Sequence, residues 1–292
     1  MLALQPRFIP GSLNMPELPE VETMVRGIRT DCIARRIDRT IFPKCPCRPI
    51  QISPGRSAFI ARTESKTISS IDRLAKRIVL GLDSGDRIVI EPRMTGLMLL
   101  TDPPTQKHRR VCFEFSFVTT KVASLEFWDR RGLGTVSLLT EVEFRALESR
   151  LGRDALNIPI QDWKKILSRT DREIKVALLD QSLIAGIGNL YASEILHEAG
   201  ISPFRPASKL SQRQIQNLMI ATNRILHEAI EYEGSTLGDG TYRNALNKSG
   251  GYQNEHQVYG REGERCDLCE RAKIQRVVQA QRSTFFCAKC QR

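Results

Sequence analysis

The sequence predicts an α+β protein of several domains, in which a leading helix and an antiparallel β-sandwich are followed by a helical bundle and a small metal-held ribbon. Three observations predict this: alternating apolar runs joined by turn residues between Arg77 and Trp128, helix-capping patterns from Thr140 onward, and two Cys-x2-Cys pairs near the C-terminus. With 292 residues the chain has room for about two domains with separate cores.

From the N-terminus, Met1 to Asn14 carries one charged residue, two prolines and a Gly-Ser pair without helical or strand periodicity. Residues 1–14 are therefore expected to be a flexible leader outside the working protein. The apolar positions Val21, Met24, Val25, Ile28 and Ile33 predict an amphipathic helix from Glu20 to Ile33, just after Pro16 and Pro19. The proline-rich stretch from Pro43 to Gly55 reads as loop. Arg77 to Pro92 reads as two strands turning at Asp83-Ser84-Gly85-Asp86, where Gly85 supplies a positive φ. Val111, Phe113, Phe115 and Phe117 alternate with Cys112, Glu114 and Ser116; after Thr119-Thr120-Lys121 a partner strand runs from Val122 to Trp128. These elements assign residues 15–139 to the sandwich.

Helices are predicted to take over at 140–234. Thr140-x-x-Glu143 is a capping box for a helix that Gly152 can end; Thr170-x-x-Glu173 opens a second and Asn189 is placed to cap a third. Ser211-x-x-Gln214 opens a long helix with Ile215, Leu218, Met219, Ile225, Ala229 and Ile230 along one face. A Gly- and Asn-rich loop and connector follow at 235–263, and the cysteine tail occupies 264–292.

The balance of 41% hydrophobic and 26% charged residues, with no apolar run of about 18, excludes a membrane-spanning or disordered chain. Lys and Arg number 44 against 33 Asp and Glu, so the net charge of +11 favours a polyanionic partner, nucleic acid first. Eight cysteines could pair in a secreted protein, but their spacing is uneven and no charged-then-apolar signal segment precedes them, which favours a reducing cytoplasm.

Cys266, Cys269, Cys287 and Cys290 have the spacing of a four-thiolate tetrahedral Zn²⁺ site, with Ile274 to Val278 and Thr284 to Phe286 able to form a hairpin between the pairs. Four thiolates leave no open position for water, so such a zinc is structural; unpaired or disulfide-linked cysteines are the alternative. Arg282 beside Ser283 and Thr284 suits a phosphate grip and equally suits a solvated surface arginine. Gly186 and Gly188, just ahead of the Asn189 helix start, fit either a phosphate-binding turn or a plain helix–helix turn.

The segment Met15-Pro16-Glu17-Leu18-Pro19-Glu20-Val21-Glu22-Thr23 resembles the N-terminus of formamidopyrimidine-DNA glycosylases, bacterial base-excision enzymes for oxidised purines. Ala75-Lys76-Arg77, Met94-Thr95-Gly96, Asp129-x-Arg131, the Gly186 to Glu194 turn, Gln257-Val258-Tyr259-Gly260-Arg261 and the Arg282 to Gln291 segment resemble that family in its order, from Met15 to Gln291. The resemblance implies a leading helix on a two-layer β-sandwich, a helix-two-turn-helix bundle and a four-cysteine zinc finger. It also implies a monomer in the bacterial cytoplasm, associated with the nucleoid through double-stranded DNA carrying damaged bases or abasic sites. One structural Zn²⁺ and no redox or nucleotide cofactor are expected.

By the same resemblance, Pro16 is the nucleophile, through a free terminal amine that attacks the sugar C1′ and forms an iminium, with strand cleavage by β- and then δ-elimination. Glu17 resembles the general acid and Glu20 a residue that positions water or protons. Lys76 resembles the lysine that contacts phosphate and assists elimination, and Arg282 the finger arginine that clamps the lesion's phosphates. His108, Arg131, Asn189 and Lys175 fall at DNA-contact positions, while Met94, Arg131 and Leu133 fall where a wedge fills the space of a flipped base. Taken without that resemblance, Pro16, Pro19 and the acids fit an ordinary helix start.

The sequence departs from the family pattern in three places. Pro16 is preceded by residues 1–15, so the chemistry requires a chain that starts at Met15 and loses that methionine. Glu91-Pro92-Arg93 stands where the family has a phosphate-contacting His, with Arg93 as its expected substitute. Leu133 replaces the usual Phe and stacks less well on a base. Two competing readings are a DNA-binding protein without chemistry and a zinc-ribbon transcription factor; the second leaves the Met15 segment and Lys76 unexplained.

Overall fold

A computed structural model describes residues 15–116, 122–236 and 242–292. The expected leader, the expected turn at Thr119 to Lys121 and part of the loop expected at 235–263 lie outside the described residues.

Helix α1 (Leu18–Cys32) begins earlier than its apolar periodicity suggests, because Pro19 fits a first helical turn whose amides need no intrahelical partner. Its buried face carries Leu18, Val21, Met24, Val25 and Ile28. It is followed by β1 (Ile37–Ile41), β2 (Gln51–Ser53), α2 (Arg56–Thr63), β3 (Ile68–Leu74), β4 (Arg77–Leu82), β5 (Arg87–Glu91), β6 (Gly96–Leu99), β7 (Arg109–Phe115), β8 (Ser124–Asp129) and β9 (Thr135–Leu139). The strands form two layers, ordered β1-β7-β8-β6 and β2-β9-β5-β4-β3. Both predicted antiparallel strand pairings are present, with Ile78 opposite Ile90 and Phe113 opposite Leu125.

Two features depart from the expected antiparallel sandwich with a proline-rich loop. Strand β2 lies inside the segment expected to be loop and pairs parallel to β9, Gln51 opposite Thr135, while every other sandwich pairing is antiparallel. Helix α2 follows at once and buries Phe59 and Thr63 without any side-chain N-cap that would mark its start. Ile78, Leu80, Ile88 and Ile90 of one layer and Leu97, Phe113, Leu125 and Phe127 of the other share a core with α1.

Helix α3 (Glu141–Glu148) is capped as predicted, Thr140 N donating to the Glu143 carboxylate at 2.8 Å. It ends at Ser149, ahead of Gly152. Gly152 instead permits a close backbone approach, since a Cβ there would sit 2.2 Å from the Leu183 carbonyl oxygen. This approach adjoins the parallel pairing of β10 (Arg153–Asp154) with β11 (Ile184–Ala185). Between these strands lie α4 (Ile160–Leu167), absent from the sequence reading, and α5 (Ile174–Leu178). The box expected at Thr170 does not form: Thr170 Oγ1 accepts from Arg172, and the Glu173 carboxylate accepts from Gln279 Nε2 at 2.7 Å. Helix α6 (Asn189–Glu198) then packs on α7 (Gln212–Glu231), whose Ser211–Gln214 box is present.

The chain closes with the hairpin β12 (Gln275–Gln279) and β13 (Arg282–Phe286), turning at Ala280 and Gln281 with φ of +46° and +62°. Tyr259, Ile274 and Phe285 join the core of the helical bundle, so the hairpin is fixed to α6. Among the described residues no helix is long and apolar enough to cross a membrane.

Candidate active site

The site forms where the start of α1 meets the start of α6. Pro16 is buried just ahead of α1. The next residue, Glu17, is 5% exposed, and its carboxylate accepts from Gly188 N at 2.6 Å, Leu190 N at 2.9 Å and Tyr191 N at 3.4 Å. Those amides are the unpaired donors at the positive end of α6, so this acid caps a helix that begins about 170 residues further along the chain. The amide groups that the sequence offered as a phosphate-binding turn are thus occupied by Glu17. Gly188 is required there, since a Cβ would lie 2.3 Å from the Glu17 carboxyl carbon; at Gly186, with φ of +106°, a Cβ would meet Leu18 at 2.4 Å.

Glu20 lies one turn along α1 and is 4% exposed. It accepts from Glu17 N at 2.9 Å, Tyr191 OH at 2.6 Å and Ser235 N at 2.9 Å, tying α1 to α6 and to the start of the 235–263 segment. Burial pushes the Glu17 carboxyl up to about 7, against the lowering effect of Lys76 and the α6 amides. Burial also raises Glu20 above the usual carboxylate range, opposed by the hydrogen bonds from Tyr191 and Ser235. A carboxyl that titrates near neutrality can hold or release a proton at working pH.

Cations surround this pair. Lys76 sits in the tight β3–β4 turn after Ala75, whose φ is +55°, and is 8% exposed. Burial lowers its pKa, and it lies within electrostatic reach of Glu17, Glu20, Glu91 and Arg282. Lys175, on α5, is fully buried and donates to Asn189 Oδ1 at 2.7 Å, Thr284 Oγ1 at 2.7 Å and the Ser283 carbonyl at 3.0 Å. Burial pushes Lys175 down to about 7. Asn189, first residue of α6, directs its amide to Ser283 O at 3.0 Å and Tyr259 OH at 3.4 Å instead of capping its own helix. Arg282 opens β13 and is exposed, and its charge reaches both Lys76 and Lys175. The hairpin therefore brings the charge of a solvent-facing guanidinium within reach of two buried amines.

The candidate wedge residues form a second group. Met94, between β5 and β6, and Leu133, between β8 and β9, are half-buried, and Arg131 is exposed. His108 joins neither group: it is 7% exposed and packs edge-on against Trp128, ring centroids 5.5 Å apart. Arg93, expected to replace a phosphate contact, is paired through its Nε with Glu91 at 3.0 Å, and Glu91 also holds Arg77 at 3.1 Å.

The four tail thiols lie within 4.8 Å of one another, with Cys266 and Cys290 sulfurs 3.8 Å apart and those of Cys269 and Cys287 3.7 Å apart. Tetrahedral Zn–S bonds of about 2.3 Å place sulfurs about 3.8 Å apart, so the thiols fit that ion. His197 Nε2, at the far end of α6, lies 3.5 Å from Cys266 Sγ.

Sequence reading missed Tyr191 and Tyr259, whose buried hydroxyls bond Glu20 and Asn189, while Thr284, read as part of a phosphate grip with Arg282, is fully buried and accepts from Lys175 instead. Tyr191 and Tyr259 lie inside segments that carry the family resemblance, yet nothing in their spacing reveals partners so distant along the chain.

Family models match most of the chain: a formamidopyrimidine-DNA glycosylase N-terminal domain over residues 15–136, a formamidopyrimidine-DNA glycosylase H2TH domain over 151–240, and a zinc finger found in FPG and IleRS over 263–292. The chain is 38% identical over 279 residues to the formamidopyrimidine-DNA glycosylase of Chloroflexus aurantiacus, covering 95% of this chain and 98% of that protein. Its fold is similar to the crystal structure of MutM (Fpg) from Thermus thermophilus, at 35% identity and a TM-score of 0.82 over 94% of this chain and 98% of that one. It is also similar to Lactococcus lactis Fpg in complex with DNA containing an abasic site, at 30% identity and a TM-score of 0.82 over 94% and 99% of the two chains. With matches spanning the sandwich, the helical bundle and the finger, the chain belongs to the formamidopyrimidine-DNA glycosylase family.

Proposed function

We propose that this protein is a bifunctional DNA glycosylase and apurinic/apyrimidinic lyase that excises oxidised purines, 8-oxoguanine and formamidopyrimidines among them, through a free Pro16 amine. The observation that carries this is the buried Glu17 carboxyl, adjacent in sequence to Pro16 and set between the α6 amides and Lys76. Double-stranded DNA is the polyanion suited to the net charge of +11, and the Lactococcus lactis relative is solved in complex with DNA containing an abasic site.

The unprotonated Pro16 nitrogen attacks the sugar C1′ of a nucleotide turned out of the stack; the bond from C1′ to the damaged base breaks with its electron pair leaving on the base, and the proton that the Pro16 nitrogen then sheds neutralises that base. Glu17, whose carboxyl burial raises to about 7, donates in its protonated form to the ring oxygen as the sugar opens to the iminium. The iminium acidifies C2′, and loss of that proton expels the 3′ phosphate; a second elimination expels the 5′ phosphate. Lys76 and Arg282 stabilise the phosphates as they leave, and Asn189 and Lys175 brace the hairpin that presents Arg282. Met94, Arg131 and Leu133 fill the vacated stack, and His108 adds a contact to the DNA backbone. The four cysteines hold one Zn²⁺, which keeps the hairpin folded and takes no part in the reaction.

The chemistry needs Pro16 unacylated, so the active chain begins at Pro16. The test is a duplex with one 8-oxoguanine incubated with a chain that begins there. The reading expects free base and a one-nucleotide gap bearing phosphate at both ends; intact strand and no released base would reject it.

A further inference from the structure

Resting on that reading, we infer that Asp129 is the positioning residue that locks the candidate wedge side chains Met94, Arg131 and Leu133 into one rigid unit. Asp129 ends β8 and is fully buried. Its Oδ1 accepts from the Thr95 hydroxyl and from Arg131 N at 3.1 Å, and its Oδ2 accepts from Leu133 N and Gly134 N, both at 2.8 Å. Thr95 Oγ1 accepts in turn from Arg131 N at 3.0 Å. One carboxylate thus holds the residue after Met94, the backbone of Arg131 and the backbone of Leu133, which come from two different inter-strand loops.

The loop is also fixed from beneath. Buried Arg110 donates to the Asp129 carbonyl at 2.8 Å and to the Arg48 carbonyl at 2.9 Å. Gly132, with φ of +62°, lies so close to Arg48 that a Cβ would be 2.1 Å from its carbonyl oxygen. These contacts anchor the loop at Asp129 and Gly132, and the Asp129 carboxylate is what carries that anchor on to Thr95, Arg131 and Leu133.

An amide cannot replace this carboxylate. Each oxygen faces two donors, and the side chain introduced by Asp129→Asn would turn its NH₂ toward one pair, either Thr95 and Arg131 or Leu133 and Gly134. Turned toward Leu133 and Gly134, the NH₂ releases the far end of the β8–β9 loop; turned toward Thr95 and Arg131, it opposes the Arg131 amide beside the tie to the other loop. A wedge matters most when a base must be forced out of a paired stack and least where the base is already missing.

The test compares Asp129→Asn with the parent chain, both beginning at Pro16, on duplexes carrying 8-oxoguanine opposite cytosine or a preformed abasic site, with 2-aminopurine beside the lesion. Single-turnover excision of 8-oxoguanine should fall on the order of 100-fold, and the 2-aminopurine signal of unstacking should shrink with it, while borohydride trapping at the abasic site changes by about threefold or less. Thr95→Val, which removes only the hydroxyl link, should shift the same ratio in the same direction and carries the test if Asp129→Asn does not fold. Equal losses on both substrates, as a general folding defect would give, or an unchanged ratio would overturn the inference. A parent chain that is not trapped at abasic sites at all would reject the glycosylase reading itself and this inference with it.

Discussion

The carboxylate of Glu17 accepts a hydrogen bond from the backbone N–H of Gly188 at 2.6 Å, joining the first residue after the candidate nucleophile to the N-terminus of a helix in the other half of the molecule. This contact leaves no space for a side chain at 188. Gly188→Ala should therefore displace Glu17, lower single-turnover excision on the order of 100-fold and cost about 1–3 kcal/mol of stability. Rapid-quench kinetics and urea unfolding check the two parts; an unchanged rate would show that Glu17 need not sit on α6.

The titration of Glu17 gives a signed pH prediction. Its carboxyl lies at about 7 in the folded protein against an ordinary value of 4.5, so the folded state favours its protonated form. The stability this gives is full below about 4.5 and is lost as pH rises toward about 7. Glu17→Gln, which does not titrate, should gain in Tm relative to the parent as pH is raised from about 5 to about 8. Excision by the parent should decline as pH rises through about 7, and that limb should be absent from the residual activity of the variant.

Much of this site was legible in the sequence, and the parts that were not share a cause. The capping boxes at Thr140 and Ser211 are local, and both form. The one at Thr170 does not, because Glu173 is drawn away by Gln279, more than 100 residues distant. Helix α4 was missed although Ile160, Trp163 and Leu167 have helical spacing, since no Ser, Thr, Asp or Asn cap marks its start after Pro159. The cysteine spacing foretold the tail cluster because both pairs act within a few residues of themselves. That Glu17 would cap α6, that Asn189 would brace the hairpin or that Asp129 would gather four donors depends on tertiary approach, which carries no periodic signal.

Metal removal should act on the hairpin first. With Zn²⁺ stripped by a chelator, or with Cys266→Ser, β12 and β13 should lose protection from hydrogen exchange while the sandwich core around Ile78 and Phe113 keeps it. Duplex affinity should fall with the hairpin and return on adding Zn²⁺. Retained protection in the metal-free protein would show that packing of Phe285 on the bundle suffices.

Exposed Arg282 should behave as a phosphate contact. Arg282→Ala should weaken binding to abasic-site duplexes and reduce the slope of log affinity against log salt by about 1. Fluorescence anisotropy over a salt series measures this, and an unaltered slope would remove Arg282 from the DNA contacts.

The central claim is that the Pro16 nitrogen forms the covalent link to DNA. Borohydride reduction during turnover on a lesion duplex, followed by peptide mass mapping, tests it directly for chains that begin at Met1 and at Pro16. The account predicts a stable adduct on Pro16 in the chain that begins there and none in the chain that keeps residues 1–15. An adduct on Lys76, or equal trapping of both chains, would contradict it.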